Sequence, residues 1–458
     1  MKKTYIIPVL LALAIAIVSC VDEPDMGEFP TNKYYYDIPD VPVETDYVIG
    51  VMYHELNETY WFRGIGANNQ PDFSQPLGYT GTPKLGNPDQ NGGYYIRKDY
   101  YNNGKILRQQ LDWAKQAGID FLLVNWNRSV AWNNAVKVDT FMLNFANVWK
   151  PGDPKIAFVF DCGHLHNIGE LRDFPEADSL HVNHKEPPSL LYPNGKVIGP
   201  YDDGRGTKET FLGQLDSLKN FFFNEPYYYK LADGRPLLGL NGYERTNNVQ
   251  STIKDVRDTL GIGVYLISPT IRYGNGYTSI HNIYNIYNTV RTGRKDANNR
   301  DIFKEVYLFR ENGGKNGNPQ MPFDAMYQPA MLTNEYARHG EGNWRRNYFS
   351  IVDFNYNEWK RKLAEKGADY IPSIMPAFDD SNRTDLSSPS RIFIHEREPE
   401  TGELYKSYAN VGKRNANSTR RIILINSWND FRQGSGLEPT EEYGESYLNF
   451  TKKYFKKN

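Results

Sequence analysis

The stretch Arg420 to Glu445, RRIILINSWNDFRQGSGLEPTEEYGE, limits the fold of this chain more than any other. Ile422-Ile423-Leu424-Ile425 is an unbroken apolar run of β-branched residues and leucine, the composition of a strand covered on both faces. Asn426, Trp428, Asn429, Asp430, Arg432 and Gln433 follow at once, and Gly434 and Gly436 then let the chain turn away. A buried strand that ends in amide, indole and carboxylate groups is how a parallel α/β fold presents its chemistry, at the carboxyl ends of the strands.

The rest of the chain repeats that device. Tyr47 to Met52 reads as a first strand running out into Tyr53, His54 and Glu55, and a long loop rich in Gly, Pro, Asn and aromatics follows to about residue 102. Ile106, Leu107, Leu111, Ala114 and Ala117 recur near helical spacing, so Gly104 to Ala117 is a helix with Gly118 as its stop. The second strand is Ile119 to Val124, tipped by Asn125, Trp126 and Asn127. The helix Val136 to Trp149 leads to a third strand, Lys155 to Phe160, ending in Asp161, Cys162, Gly163 and His164. After a long loop come the helix Lys208 to Phe223 and the strand Pro236 to Leu240, with Asn241, Tyr243 and Glu244 beyond it. The helix Val249 to Leu260 and the strand Val264 to Ser268 follow, and a sixth strand falls at Phe323 to Tyr327. The helix Trp344 to Lys366 precedes a seventh strand, Tyr370 to Met375, with Asp379 and Asp380 past its end, and the helix Tyr443 to Phe455 closes the chain after Ile422 to Ile425.

Eight strands, most followed by a helix, predict an α/β fold: a single (β/α)8 TIM barrel with long strand-to-helix loops. A doubly wound open sheet is the alternative, but no glycine-rich phosphate turn follows the first strand. Net charge is −2 with both signs interspersed, which excludes the basic stripe of a nucleic-acid binder. The 34 Tyr and 8 Trp suit stacking on sugar faces, or equally the packing of loops.

The amino terminus has its own logic. Lys2 and Lys3, the apolar run Ile6 to Val18 and Ser19-Cys20 make residues 1–20 a lipoprotein signal peptide, with Cys20 as the lipidated residue of the mature chain. An ordinary secretory signal is the other reading. Residues 21–44, rich in Pro, Asp and Glu, read as a flexible tether, and 45–458 as the one barrel domain. The acidic run Val21 to Asp25 resembles the tether of cell-surface lipoproteins in Bacteroidetes-type bacteria, which implies an exported, outer-membrane, surface-facing protein. With Cys20 lipidated, Cys162 has no disulfide partner.

At the strand tips, His54, Glu55, Asp161, Tyr243 and Glu244 are candidates for a polar site. Asp379 and Asp380 either bond a sugar or cap the next segment, and Trp126 between Asn125 and Asn127 suits either sugar stacking or rim packing. His164, His166, His181 and His184 lie in a loop without supporting cysteines, and no metal or other cofactor is expected.

Asn426 to Gly434, then Leu437-Glu438-Pro439 and Tyr443-Gly444, resembles the closing motif of family-99 glycoside hydrolases and the related WbsX-like domains, which runs roughly N-x-W-N-E-W-x-E-G, a gap, L/I-E-P and Y-G. Leu107 to Leu111 with Ala117 to Phe121, Tyr227 to Lys230 with Asp233 to Pro236, and Ser373 to Asp380 resemble other parts of that family less tightly. The resemblance implies a (β/α)8 retaining endo-α-mannosidase or mannanase that needs no metal. One carboxylate would act as base on the sugar's own 2-hydroxyl, giving an anhydro-sugar intermediate, and a second, three residues on, as general acid/base. By position these are Asp430 and Gln433. Asp430 keeps its carboxylate but draws it back by about 1.5 Å, one C–C bond. An amide at Gln433 cannot donate and retake a proton, a loss of typically about 10²- to 10⁴-fold.

Another mouth carboxylate then has to supply the acid, from Glu55, Asp161, Glu244, Asp379, Asp380 or Glu438, unless the linkage cleaved needs little protonation. Trp428 and Asn429 would line the substrate. The enzyme reading is a surface-anchored glycosidase of α-linked, mannose-containing polysaccharide. The alternative is a degenerate barrel that captures glycan for neighbouring outer-membrane uptake proteins. A WbsX-like role in polysaccharide synthesis ranks last, because an exported lipoprotein has no nucleotide-sugar pool.

Overall fold

The structure, a computed structural model, describes residues 36–53, 84, 104–126, 134–161, 190–191, 197–198, 208–241, 249–261, 263–269, 287–295, 301–307, 323–327, 341–379, 392–394, 401–430 and 434–457. In chain order the elements begin with β1 (Val48–Tyr53), α1 (Lys105–Gln116), β2 (Phe121–Trp126), α2 (Asn134–Val148), β3 (Lys155–Asp161), β4 (Leu190–Leu191) and β5 (Val197–Ile198). Next come α3 (Lys208–Phe222), β6 (Leu237–Asn241), α4 (Val249–Leu260), β7 (Tyr265–Pro269), β8 (Tyr287–Lys295), β9 (Asp301–Tyr307) and β10 (Ala325–Tyr327). The last are α5 (Glu341–Ala364), β11 (Asp369–Ile371), β12 (Ser373–Ile374), β13 (Phe378–Asp379), β14 (Ile392–Ile394), α6 (Glu403–Asn415), β15 (Ile422–Ile425) and α7 (Ser446–Phe455).

Nine parallel strands pair in the order β11-β10-β7-β6-β3-β2-β1-β15-β12. The two ends of that order are one stave: only Pro372, which has no N–H for the ladder, separates β11 from β12. β11 pairs with β10 and β12 with β15, so the sheet closes on itself with eight staves. Register gives the stagger. Asn125 lies opposite Val159, then Gly239, Ile267, Ala325 and Asp369 in turn. Four residues past Asp369, Ser373 lies opposite Leu424, then Gly50 and Phe121. One circuit therefore returns four residues before Phe121, at 117, and 125 − 117 = 8 is the shear of an eight-stranded TIM barrel.

Alternation along the staves sorts the apolar residues into two cores. Phe121, Leu123, Ala157, Val159, Leu237, Tyr265, Ile267, Ala325, Tyr327, Ile371, Ile422 and Leu424 fill the barrel. Ile49, Val51, Leu122, Val124, Phe158, Ile423 and Ile425 face outward onto helix residues such as Leu107, Leu111, Phe141, Leu215 and Val352. At the amino end of the staves, Arg235 and Arg420 lie over the ring of Tyr265, 4.9 and 5.0 Å from its centre. The Tyr265 hydroxyl donates to Asp369 at 2.9 Å, and Arg420 and Arg235 pair with Asp369 and Asp324. That end is closed by ion pairs, which leaves the carboxyl end for chemistry.

All eight expected strands are present. The second differs in extent: it runs from Phe121 to Trp126 instead of from Ile119 to Val124, because Asn125 and Trp126 continue the ladder opposite Val159 and Phe160. The helix α6 was not expected, although Leu404, Tyr405, Tyr408, Ala409 and Val411 recur at helical spacing. Between β7 and β10 the described residues hold no helix, only the antiparallel hairpin β8–β9. β4–β5 and β13–β14 are likewise antiparallel pairs inserted after β3 and β12, on the strand-to-helix side.

The expected flexible tether is corrected at its inner end. Tyr36 donates to Asp353 of α5 at 2.8 Å, Asp40 accepts from Lys406 and Asn410 of α6, and Lys413 donates to the Val41 carbonyl. Residues 36–41 are thereby strapped to two outer helices. Burial pushes the Lys413 ammonium down to about 8 from its ordinary 10.5, against the opposing pull of Asp40. Between those values the unfolded chain carries a proton that the folded one lacks, so stability rises with pH from about 8 towards 10.5. Urea unfolding at pH 8 and pH 10 is expected to show the stability difference between wild type and Lys413→Met growing in favour of wild type. A difference that shrinks would contradict this.

Candidate active site at the carboxyl end of the barrel

The residues after β15 fold into a hook at the mouth. Asn426 N–H still bonds Ile374 O at 2.9 Å, the Asn426–Ser427 peptide is cis, and Trp428 N–H has crossed to Met52 O of β1 at 2.8 Å. The chain then returns alongside itself. Ser427 N–H bonds Ser435 O, Leu437 N–H bonds Ser427 O, and Glu438 N–H bonds Trp428 O, at 3.0, 3.0 and 2.9 Å. Ser435 N–H closes on Asp430 O at 3.1 Å, and Ser427 Oγ accepts from Asp430 N–H at 2.8 Å. Glycine is favoured at two positions. Gly434 has φ +61°, where a side chain is strained, and a Cβ on Gly436 would stand 3.1 Å from Trp428 O. The hydrogen-bonded arms hold Asp430 beside the tip, half-buried.

The structure sorts the expected site residues. Asn125 is a partly exposed interior position of β2, level with Val159. Asp161 ends β3 in register with Asn241 of β6, and Asp379 lies on β13 opposite Ile392. Of the two readings of Trp126 the structure favours packing over sugar stacking: it faces away from the barrel interior, 2% exposed, against Phe158 and Phe222 at 4.7 and 5.3 Å between ring centres. It is packing, because as the last rung of β2 it shares the outward, helix-facing side of Leu122 and Val124. Trp428 and Asn429 are each 0% exposed, so neither offers a face to a sugar; the Trp428 indole N–H has no partner among the described residues. Glu438 is 1% exposed and accepts from Gln110 Nε2 at 3.1 Å. Cys20, His54, Glu55, Tyr243, Glu244, Asp380 and Gln433 lie outside the described residues.

Gln110 and Tyr53 were not among the expected site residues. Tyr53, the last residue of β1, donates to Gln110 Oε1 at 2.7 Å. The available signal was a polar residue on the apolar stripe of α1, between Leu107 and Ala114.

The chain matches a family model described as Glycosyltransferase WbsX over residues 275–451. A curated relative, the uncharacterized protein WxcX of Xanthomonas campestris pv. campestris (strain B100), is 28% identical over 107 residues, 23% of this chain and 15% of that one. The match thus spans well under two thirds of the relative's length. Among solved structures, a glycoside hydrolase-like protein superimposes with a TM-score of 0.58 at 18% identity, covering 93% of this chain and 99% of that one. A GH99 endo-α-mannosidase from Bacteroides thetaiotaomicron in complex with bis-tris-propane has a TM-score of 0.47 at 14% identity, covering 89% and 96%. Residues 275–451 therefore carry the WbsX match, within a (β/α)8 barrel that has the fold of a glycoside hydrolase-like protein.

Proposed function

We propose that the mouth of this barrel binds and cleaves α-linked, mannose-containing polysaccharide with retention, and that Asp430 is its base. The observation that carries this reading is the contrast between the two described carboxylates of the closing motif. Asp430 is half-buried on a hydrogen-bonded hook at the mouth, whereas Glu438 is sealed inside. The glycoside hydrolase-like fold supports the same class of reaction. Asp430 would take the proton of the sugar 2-hydroxyl as that oxygen closes on the anomeric carbon, and a second carboxyl would protonate the departing oxygen. Gln433 cannot be that acid, so it comes from Glu55, Asp161, Glu244, Asp379 or Asp380, with Asn125 bonding the sugar. The chain would work outside the cell, anchored through Cys20 beside outer-membrane glycan-uptake proteins.

Gln433 itself favours a second reading, capture of glycan without cleavage. The description of the WbsX family names glycosyl transfer, which would need an activated sugar donor. Incubating the purified protein with yeast α-mannan and bacterial exopolysaccharides decides among them. Release of new reducing ends is expected; binding without release, with activity created by Gln433→Glu, selects capture. Consumption of a nucleotide sugar with chain growth selects transfer.

A further inference from the structure

We infer that Glu438 is a positioning residue, which through Gln110 and Tyr53 locks the loop bearing Asp430 to the tip of β1; the inference rests on the proposed role of Asp430. Three side chains distant in sequence form one buried chain. Tyr53 OH donates to Gln110 Oε1 at 2.7 Å, and Gln110 Nε2 donates to Glu438 Oε2 at 3.1 Å. Their exposures are 2, 1 and 1%. No substrate atom reaches Glu438 at that burial, so it acts through its neighbours.

Both ends of the chain lie on segments that carry the mouth. Tyr53 directly precedes His54 and Glu55. Glu438 N–H bonds Trp428 O, and Trp428 N–H bonds Met52 O, two residues from Asp430 and one from Tyr53. The backbone link and the side-chain link therefore run in parallel between β15 and β1, with α1 as the brace. Buried polar groups of this kind resist shear, because a slip of the loop breaks a hydrogen bond between a carboxylate and an amide in a low-dielectric interior, where such bonds are strong. A base on a sugar hydroxyl needs that rigidity, since displacement of a reacting group by about 1 Å costs about 10²-fold.

The test uses the full chain on α-mannan. Glu438→Gln keeps an oxygen that accepts from Gln110, and kcat is expected within about threefold of wild type; Glu438→Leu should lower kcat about 30- to 100-fold with little change in KM and no shift of the pH profile. Gln110→Glu sets two carboxylates together and should be as poor. The exchanged pair Gln110→Glu with Glu438→Gln restores one donor and one acceptor and should recover kcat. If Glu438→Gln is as inactive as Glu438→Leu, the carboxylate does chemistry and the inference fails. Amide hydrogen exchange separates this from failure of the glycan reading. Exchange at Trp428 and Glu438 should quicken about tenfold or more in Gln110→Glu and return to the wild-type rate in the exchanged pair. Unchanged exchange in Gln110→Glu overturns the inference whether or not any glycan is cleaved. Should Glu438→Leu fail to fold, Tyr53→Phe, which deletes one hydroxyl, is the milder probe and is expected to lower kcat about fivefold, within the range for small misplacements; no change would count against the chain.

Discussion

Replacing Gly50 with alanine is expected to lower the stability of the barrel by about 2 kcal/mol, from a single added methyl group. Gly50 faces the barrel interior from the middle of β1, and a Cβ there would lie 2.2 and 2.4 Å from ring atoms of Phe121 and 2.7 Å from a methyl of Leu424. Neither neighbour yields easily. Phe121 is stacked on Tyr229 at 4.2 Å, and Leu424 is fully buried between β1 and β12. Overpacking of this kind costs typically about 1–3 kcal/mol, and a ring held on its far side puts the cost at the upper end. Removing a glycine from the unfolded chain gives back about 0.4–1 kcal/mol, which leaves the net loss stated. Urea unfolding should show a lower midpoint at unchanged slope. Adding Phe121→Leu should recover part of the loss; a double variant less stable than Gly50→Ala would locate the clash elsewhere.

The second large effect falls on Asp430. Asp430→Asn keeps the shape of the side chain and leaves the backbone bonds to Ser427 Oγ and Ser435 N–H untouched, so the hook should persist. An amide cannot take the proton of a sugar hydroxyl. Cleavage is expected to fall about 10²- to 10⁴-fold, the typical contribution of a positioned general base. Polysaccharide affinity should stay within about threefold, because the groups that bind the sugar are unaltered and only the transition state loses its partner. Asp430→Glu tests reach. Moving the carboxylate forward by about 1.5 Å either meets the 2-hydroxyl better or overshoots it, but it should retain far more activity than Asp430→Asn.

The barrel was legible because a parallel sheet covered on both sides leaves continuous apolar runs that need no partner to be recognised. All eight staves lie where those runs predict, including the short one at Ala325–Tyr327. Their carboxyl ends were less legible. Polar residues mark both the last rungs of a strand and the loop beyond it, so Asn125 and Trp126 read as a tip although both continue the β2–β3 ladder. As a further rung of that strand, Trp126 keeps the outward face of Leu122 and Val124 instead of pointing into the mouth, since side chains alternate. α6 escaped notice because tyrosine, asparagine and glycine are weak helix formers; packing of Tyr405, Tyr408 and Val411 against the outer core supplies what propensity lacks. At the site, the motif located the hook and Asp430. It did not show that Glu438 is buried and bonded to Gln110, 328 residues away. Local pattern marks Gln110 as a polar residue on an apolar stripe, but it does not name a partner at that separation.

Retaining cleavage at the mouth with Asp430 as base is tested most directly by one comparison: initial rates of reducing-end release from a single α-mannan by wild type and Asp430→Asn, each at saturating polysaccharide. Measurable release by wild type and a rate at least about 10²-fold lower for the variant are expected. Equal rates for the two proteins would contradict Asp430 as base.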